Sequence, residues 1–112
     1  MSRLSTHVLD VALGRPAAGV ALRLEILDGE TRRLLATAAT DTDGRAGDLL
    51  PDATLAPGTY RLTFETGAYF QGTGRATFYP RVEVTFQVTA PGEHHHVPLL
   101  LSPFGYSTYR GS

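Results

Sequence analysis

Four histidines are the residues of this sequence whose types and spacing suggest chemistry most directly. His94 and His96 would share one face of a strand and His95 the other, because successive strand side chains point to opposite faces. His7 lies apart, in the segment LSTHVLD. This set could bind zinc through His7, His94 and His96, or could act as acid and base near neutral pH. It could also be a group of solvated side chains at a strand end.

The segment DTDGRAGDL, residues 41–49, resembles a calcium loop but does not have its full pattern. Such a loop needs glycine at its sixth position and glutamate at its twelfth. Counted from Asp41, those positions hold Ala46 and Asp52. The pair Asp43-Gly44 instead predicts a hairpin-type turn, with Arg45 directly after it.

The C-terminal residues YSTYRGS, residues 106–112, are unusual for a terminus. Terminal residues are commonly poorly ordered unless something holds them. Here two tyrosines and an arginine follow the apolar run PLLLSP. Either these residues fray in solvent, or they are held at a site or an interface.

Alternation with a period of two dominates the chain and predicts strands with one buried and one wetter face. In one such stretch, Val82, Val84, Phe86 and Val88 alternate with polar residues. Half-solvated strands of this kind favour antiparallel pairing. The predicted strands cover residues 4–10, 20–27, 33–40, 60–65, 82–89, 95–101 and 106–109.

Turn signals separate these strands and predict an all-β sandwich. The predicted turns are Gly14-Arg15-Pro16, Asp28-Gly29, Asp43-Gly44, Pro57-Gly58 and Pro91-Gly92. Residues 66–72, TGAYFQG, lack alternation and predict a helix of about two turns. With 112 residues the chain can bury a substantial core, so we expect residues 1–112 to form a single domain.

Composition excludes several classes of function. The chain contains no cysteine, which excludes disulfides, thiol nucleophiles and cysteine-ligated metals. The 10 basic and 11 acidic residues give a net charge of −1, which offers no attraction for nucleic acid or an anionic membrane. No apolar run approaches the roughly 18 residues of a membrane span, and no signal-peptide segment is visible. We therefore expect a soluble cytoplasmic protein without nucleic-acid or membrane partners.

Three motifs, taken in order, resemble the transthyretin-like proteins that act as 5-hydroxyisourate hydrolases. They are LSTHVLD at residues 4–10, DGR at residues 43–45, and HHHVPLLLSPFGYSTYRGS at residues 94–112. The resemblance covers essentially the whole chain, and the terminal YRGS is its most specific part. His95 is more often aromatic in that family, but it points away from its two neighbours and is not expected to change the chemistry.

The resemblance implies a transthyretin (prealbumin)-like β-sandwich of about eight strands with one short helix. It also implies a homotetramer with active sites at the interface between dimers. The implied reaction is hydrolysis of 5-hydroxyisourate to 2-oxo-4-hydroxy-4-carboxy-5-ureidoimidazoline by attack of water on a ring carbonyl, with no cofactor and no metal. The implied residues are catalytic His7, Arg45 and His96, and substrate-binding Tyr109, Arg110 and Ser112.

Three alternatives remain open beside this interpretation. A transthyretin-like carrier of small molecules would need a more apolar channel than these histidines and arginines provide. A binding module without catalysis would leave the histidines and the terminus without a role. A zinc-dependent hydrolase using His7, His94 and His96 would contain stoichiometric zinc and lose activity to a chelator.

Overall fold

The computed structural model describes residues 3–47, 49–50, 55–90 and 92–112, and of Arg3 only the backbone. Within those residues the chain forms nine strands and one helix, which confirms the predicted all-β class with one short helix. In chain order they are β1 (Arg3–Asp10), β2 (Arg15–Pro16), β3 (Ala21–Asp28), β4 (Thr31–Ala39), β5 (Arg45–Ala46), β6 (Gly58–Phe64), α1 (Thr66–Gly72), β7 (Val82–Val88), β8 (His94–Ser102) and β9 (Gly105–Thr108).

The strands form two sheets. One has the order β2-β1-β8-β9, with β5 also paired to β1, and the other has the order β4-β3-β6-β7. The described strand pairs are antiparallel except β1 with β8, which run parallel. The half-solvated alternation favoured antiparallel pairing, and this pair departs from it. Parallel neighbours cannot be joined by a tight hairpin, so β1 and β8 lie far apart in the sequence. The alternation within either strand therefore does not indicate that the two strands pair.

The core lies between the sheets and explains the period of two. Leu4 and Val8 of β1 face Leu62 and Phe64 of β6 across one cluster, and each is at most 1% exposed. Burial of a side chain of this size contributes about 1.5–3 kcal/mol. The inner faces therefore hold the sandwich together, and the outer faces are left for polar side chains.

The helix α1 occupies the predicted residues and docks against the end of β1. Phe70 is buried in the core, and the Tyr69 hydroxyl donates to Oδ2 of Asp10 at 2.8 Å. Arg75, just after the helix, contacts the same oxygen at 2.6 Å. Burial alone would raise the pKa of Asp10, but the hydrogen bonds from Arg75 and Tyr69 bring it below its ordinary value. No helix in the described part of the chain is long and apolar enough to cross a membrane.

Two very short strands mark the main differences from the predicted elements. Arg15–Pro16, predicted as part of a turn, is instead the short edge strand β2, where proline is tolerated. Arg45–Ala46 was predicted only as the residues after a turn, but it forms β5. Two residues are too few to show alternation. Pro91 of the turn predicted at residues 91–92, and Asp52 of the rejected calcium pattern, lie outside the described residues.

Candidate active site

The parallel pairing of β1 with β8 brings the histidines of the first and last motifs onto one face. In this register Ser5 lies opposite His96, and His7 lies opposite Pro98. Because side chains alternate along each strand, Ser5 and His7 share the face of His94 and His96. It is the outer face of the sheet, since the intervening side chains of β1 are buried in the core.

Arg45 joins this face from β5. It lies directly opposite His7 in an antiparallel pair, so the two side chains project from neighbouring positions. Arg45 is exposed, and among the residues that the structure describes its guanidinium forms no ion pair. Its permanent positive charge can act on an anion or on developing negative charge.

The DTDGR loop positions Arg45 through its backbone. Oδ1 of Asp41 accepts hydrogen bonds from the N–H groups of Asp43 (2.9 Å) and Arg45 (3.0 Å), and the bond from Arg45 is the main cause of the lowered pKa of Asp41. Gly44 has a φ of 76°, and a Cβ there would collide with the carbonyl oxygen of Val8. The structure confirms a turn at Asp43-Gly44 but not the predicted hairpin, because β4 before the turn and β5 after it belong to different sheets. The loop requires its glycine.

The hydrogen bonding of His7 defines the role of each ring nitrogen. Its Nε2 lies 2.9 Å from the carbonyl oxygen of Asp43. A carbonyl only accepts hydrogen bonds, so Nε2 carries a hydrogen and donates. In the neutral ring, Nδ1 then holds a lone pair. His7 is half-buried, and Nδ1 is the nitrogen that can accept a hydrogen bond from water or substrate.

Ser5 lies between the two outer histidines of the triplet. Its Oγ is 3.0 Å from Nε2 of His94 and 2.8 Å from Nδ1 of His96. The two ring centroids are 6.1 Å apart, too far for a direct hydrogen bond between the rings. The hydroxyl therefore bridges them, and Nε2 of His96 is the ring nitrogen left for chemistry.

The surroundings of His96 favour its neutral form. Burial lowers the pKa of His96 below its ordinary value of 6.5, and the charges of His94, His7 and Arg45 lower it further. At neutral pH the imidazole can therefore accept a proton, as a general base must. A half-buried histidine with a perturbed pKa among other ionisable groups is typical of a functional site.

The C-terminal segment returns beside His96 in the same chain. The N–H of Gly111 donates to the carbonyl oxygen of His96 at 2.8 Å, which extends the pairing of β9 with β8 by one bridge. A Cβ at Gly111 would lie 2.5 Å from Cδ2 of His96. Only glycine fits against this ring without displacing it.

Comparison with known proteins identifies the family. A model described as HIUase/Transthyretin family matches residues 4–111. The chain belongs to the HIUase/transthyretin family. It is 50% identical over 115 residues to 5-hydroxyisourate hydrolase 2 of Rhizobium meliloti (strain 1021), covering 98% of this chain and 96% of that protein. The motif resemblance is thereby confirmed.

Solved structures of this family share the fold. The structure of Klebsiella pneumoniae 5-hydroxyisourate hydrolase matches with a TM-score of 0.88 and 43% identity, covering 100% of both chains. Sea bream transthyretin in complex with thyroxine matches with a TM-score of 0.90 and 34% identity, covering 96% of this chain and 93% of that chain. The predicted transthyretin-like sandwich is confirmed.

Of the remaining terminal side chains, that of Arg110 has a defined partner. Arg110 forms a 2.7 Å ion pair with Glu93. Glu93 directly precedes His94, and Arg110 directly precedes Gly111. Alternation therefore places both side chains on the side of the sheet opposite the ring of His96. Tyr109 and Ser112 are exposed. The structure thus groups the three predicted catalytic residues on one face. Of the three predicted substrate-binding residues, Tyr109 and Arg110 line a cavity together with His96, and Ser112 is exposed.

His95 occupies the opposite face of β8, as predicted. It is buried, and its Nδ1 donates to the carbonyl oxygen of Glu93 at 3.0 Å. It lines a cavity of about 290 Å³ against β7, together with His96, Tyr109 and Arg110. Alternation along β8 directs the side chain of His95 to the side opposite His94 and His96.

Sequence reasoning did not single out Ser5, and it considered His94 only as one of a histidine set that could bind zinc, act as acid and base, or be solvated. The period of two placed Ser5 on the face of His7, but it did not show that Ser5 would lie opposite a histidine 91 positions away. In the described ranges, no group of three or more His, Cys, Asp or Glu side chains could hold a metal ion. The geometry therefore offers no ligand set to the zinc alternative.

Proposed function

We propose that this protein hydrolyses 5-hydroxyisourate to 2-oxo-4-hydroxy-4-carboxy-5-ureidoimidazoline. The observation that carries the proposal is the grouping of His7, Arg45 and His96 on one outer face, with the pKa of His96 lowered. A relative that is 50% identical over nearly its whole length carries the name of this activity. The same similarity supports 5-hydroxyisourate as the substrate.

Attack of water on a ring carbonyl is the step that this grouping suits. Neutral His96 takes a proton from the water at Nε2 as the oxygen bonds to the carbonyl carbon. Nδ1 of His7 accepts a hydrogen bond from the same water and orients it. A positioned general base of this kind contributes about 10²- to 10⁴-fold in rate.

Arg45 and the protonated His96 complete the ring opening. Negative charge develops on the carbonyl oxygen, and the guanidinium of Arg45 stabilises it with N–H donors that need no reorganisation. The ring carbon–nitrogen bond then breaks, and His96 returns its proton to the departing nitrogen. No proton is gained or lost overall, and His96 is again neutral.

We further propose a homotetramer of single-domain subunits with the sites between dimers. β7 and β9 are edge strands and offer unpaired backbone to a second copy. Near the end of β1, Val11 (54% exposed), Leu13 (46%) and Phe104 (72%) present apolar side chains to solvent, and such exposed groups mark contact surfaces. In this assembly Tyr109, Arg110 and Ser112 would bind substrate in a site shared by neighbouring subunits.

The test is the decay of 5-hydroxyisourate, generated from urate by urate oxidase and followed by ultraviolet absorbance. Wild type should accelerate the decay over a blank without protein, and His96→Ala should lose about 10²- to 10⁴-fold of that acceleration. His95→Gln, on the opposite face, should keep it. Decay equal to the blank, from folded wild-type protein, would contradict the proposal and favour a carrier or binding module.

A further inference from the structure

Ser5 differs from the neighbouring hydroxyl residue of β1 in what it contacts. Thr6 donates to the backbone carbonyl of Val97, which is an ordinary structural role for a buried hydroxyl. Ser5 instead bridges two ring nitrogens, Nε2 of His94 and Nδ1 of His96. Its hydroxyl therefore bears on the protonation of two histidines.

A serine hydroxyl has one hydrogen, and this couples the two rings. If Ser5 donates to Nδ1 of His96, then that ring carries its hydrogen on Nε2 and cannot act as a base there. If Ser5 donates to Nε2 of His94, then it accepts from Nδ1–H of His96, and Nε2 of His96 holds the lone pair. The catalytic form of His96 is thus the one in which Ser5 donates to His94.

His94 connects this bridge to solvent. It is exposed, whereas His96 is half-buried beside Gly111. A continuous path of hydrogen-bonding groups therefore leads from Nε2 of His96, through its ring and the Ser5 hydroxyl, to the solvent-exposed ring of His94.

We propose that Ser5 is a positioning residue that selects the basic tautomer of His96 and connects it to His94 as a path for the proton. The proposal rests on the hydrolase function proposed above and adds two groups to its machinery. In each turnover, water gives a proton to Nε2 of His96, the Nδ1 proton of His96 passes to Oγ of Ser5, and the Ser5 proton passes to Nε2 of His94. His94 ends as the imidazolium, and the water oxygen bonds to the ring carbonyl carbon as its proton leaves.

The return of the proton balances the cycle. The departing ring nitrogen takes a proton from Nε2 of His96, and the Ser5 bridge carries the proton of His94 back in the reverse direction. Ser5 and both histidines thereby regain their starting states.

The kinetic test compares Ser5→Ala with Ser5→Thr. Ser5→Ala should lower kcat by about 10- to 100-fold, less than loss of the base itself, with little change in KM. Ser5→Thr keeps the hydroxyl on a residue that suits a strand and should recover most of kcat. Thr6→Val is the matched control, since it removes the neighbouring hydroxyl of the same strand from the core face and should leave kcat near wild type in folded protein.

A proton inventory distinguishes a relay from a structural effect. In mixtures of H₂O and D₂O, kcat of wild type should follow a curved dependence, because several protons move together, and Ser5→Ala should follow a straight one. His94→Phe should lower kcat as Ser5→Ala does, and the double variant should lose no more than either alone. The proposal would be overturned by additive losses of kcat in the double variant or by a curved D₂O dependence that persists in Ser5→Ala. It would also be overturned if Ser5→Thr does not restore kcat.

Nitrogen-15 NMR of the free protein separates this proposal from the hydrolase function. In wild type, the imidazole ¹⁵N shifts should report Nδ1–H on His96, and replacement of Ser5 or His94 should change them. A wild-type protein with Nε2–H on His96 would overturn the relay even if hydrolysis is fast. If Ser5→Ala does not fold, wild-type kcat in His94→Phe would also overturn the relay. A protein with the expected tautomer but no hydrolysis would contradict the proposed function instead.

Discussion

Arg45 and His96 share one face, yet the proposed reaction needs one as a cation and the other as a neutral base. Burial and the charges of His94, His7 and Arg45 together lower the pKa of His96. Arginine stays protonated in any protein environment. The same cation therefore adds to the effect of burial in favouring the neutral base, and it stabilises the charge that the base helps to create.

Replacement of Arg45 tests whether its guanidinium stabilises the developing negative charge. Arg45→Ala should lower kcat by about 10²- to 10³-fold, the range for loss of one donor to a developing oxyanion. Arg45→Lys should recover part of the loss, since it restores the charge but not the planar fork. Steady-state kinetics would measure both variants, and an Arg45→Ala protein with wild-type kcat would remove Arg45 from the machinery.

Gly111 should matter for catalysis more than for stability. A Cβ at this position would lie 2.5 Å from Cδ2 of His96, so Gly111→Ala should displace the ring or the terminal segment and lower kcat by about tenfold or more. Gly72→Ala is the matched control because a Cβ there meets nothing within 4 Å. Kinetics and thermal melting of both would check this; equal kcat values would contradict the packing argument.

At the scale of the elements, the local pattern predicted strands well and their pairing poorly. Alternation gave most strand positions because many of the strands bury one face in the core, and the lack of alternation over residues 66–72 gave the bounds of α1. It could not give β2 or β5, which are two residues each. The pairing of Ser5 with His96 and of His7 with Arg45 joins distant parts of the chain. The candidate residues were therefore found through motif resemblance, and the Ser5 bridge required the structure.

The docking of α1 on β1 makes a prediction about stability. Asp10→Asn removes the charge that pairs with Arg75 and should cost about 3 kcal/mol, as for loss of one partner of a buried ion pair. The pKa of Asp10 is lower in the folded protein than its ordinary value. The stabilisation is therefore complete above the ordinary pKa of 3.8 and is lost as pH falls through the folded value.

Chemical denaturation across this pH range would check the sign. Wild type should exceed Asp10→Asn in free energy of unfolding at neutral pH, and the two should converge in acid, where the wild-type carboxyl is also neutral. Asp28→Asn, at an exposed strand end, is the control and should change little. A difference that grows as pH falls would contradict the role assigned to Asp10.

At the scale of the whole molecule, the proposed assembly would share each site between subunits. The side chain of Arg110 contacts Glu93 rather than the histidine face, and Tyr109 is 58% exposed. Backbone pairing brings Gly111 to His96 within the chain. In the proposed assembly the terminal side chains would bind the same substrate molecule as the histidine face. Activity would therefore depend on the oligomeric state.

Disruption of the exposed apolar end should therefore reduce both assembly and activity. Phe104→Asp places a charge where the proposed interface buries a side chain, which is strongly unfavourable. It should shift the protein to smaller species by light scattering and lower the specific activity in parallel. Leu34→Asp, at a similarly exposed site on β4, should leave both unchanged. A monomer with full activity would refute the shared site.

The pH dependence of kcat/KM tests the central claim, that neutral His96 is the base. Protonation of a base in the free enzyme abolishes its function, so kcat/KM should fall on the acid side with the pKa of that base. Because the pKa of His96 lies below 6.5, the account predicts a level profile from neutral pH to below 6.5 and a fall beneath it, after subtraction of the spontaneous decay. A fall with its midpoint at or above 6.5 would show that another group is the base.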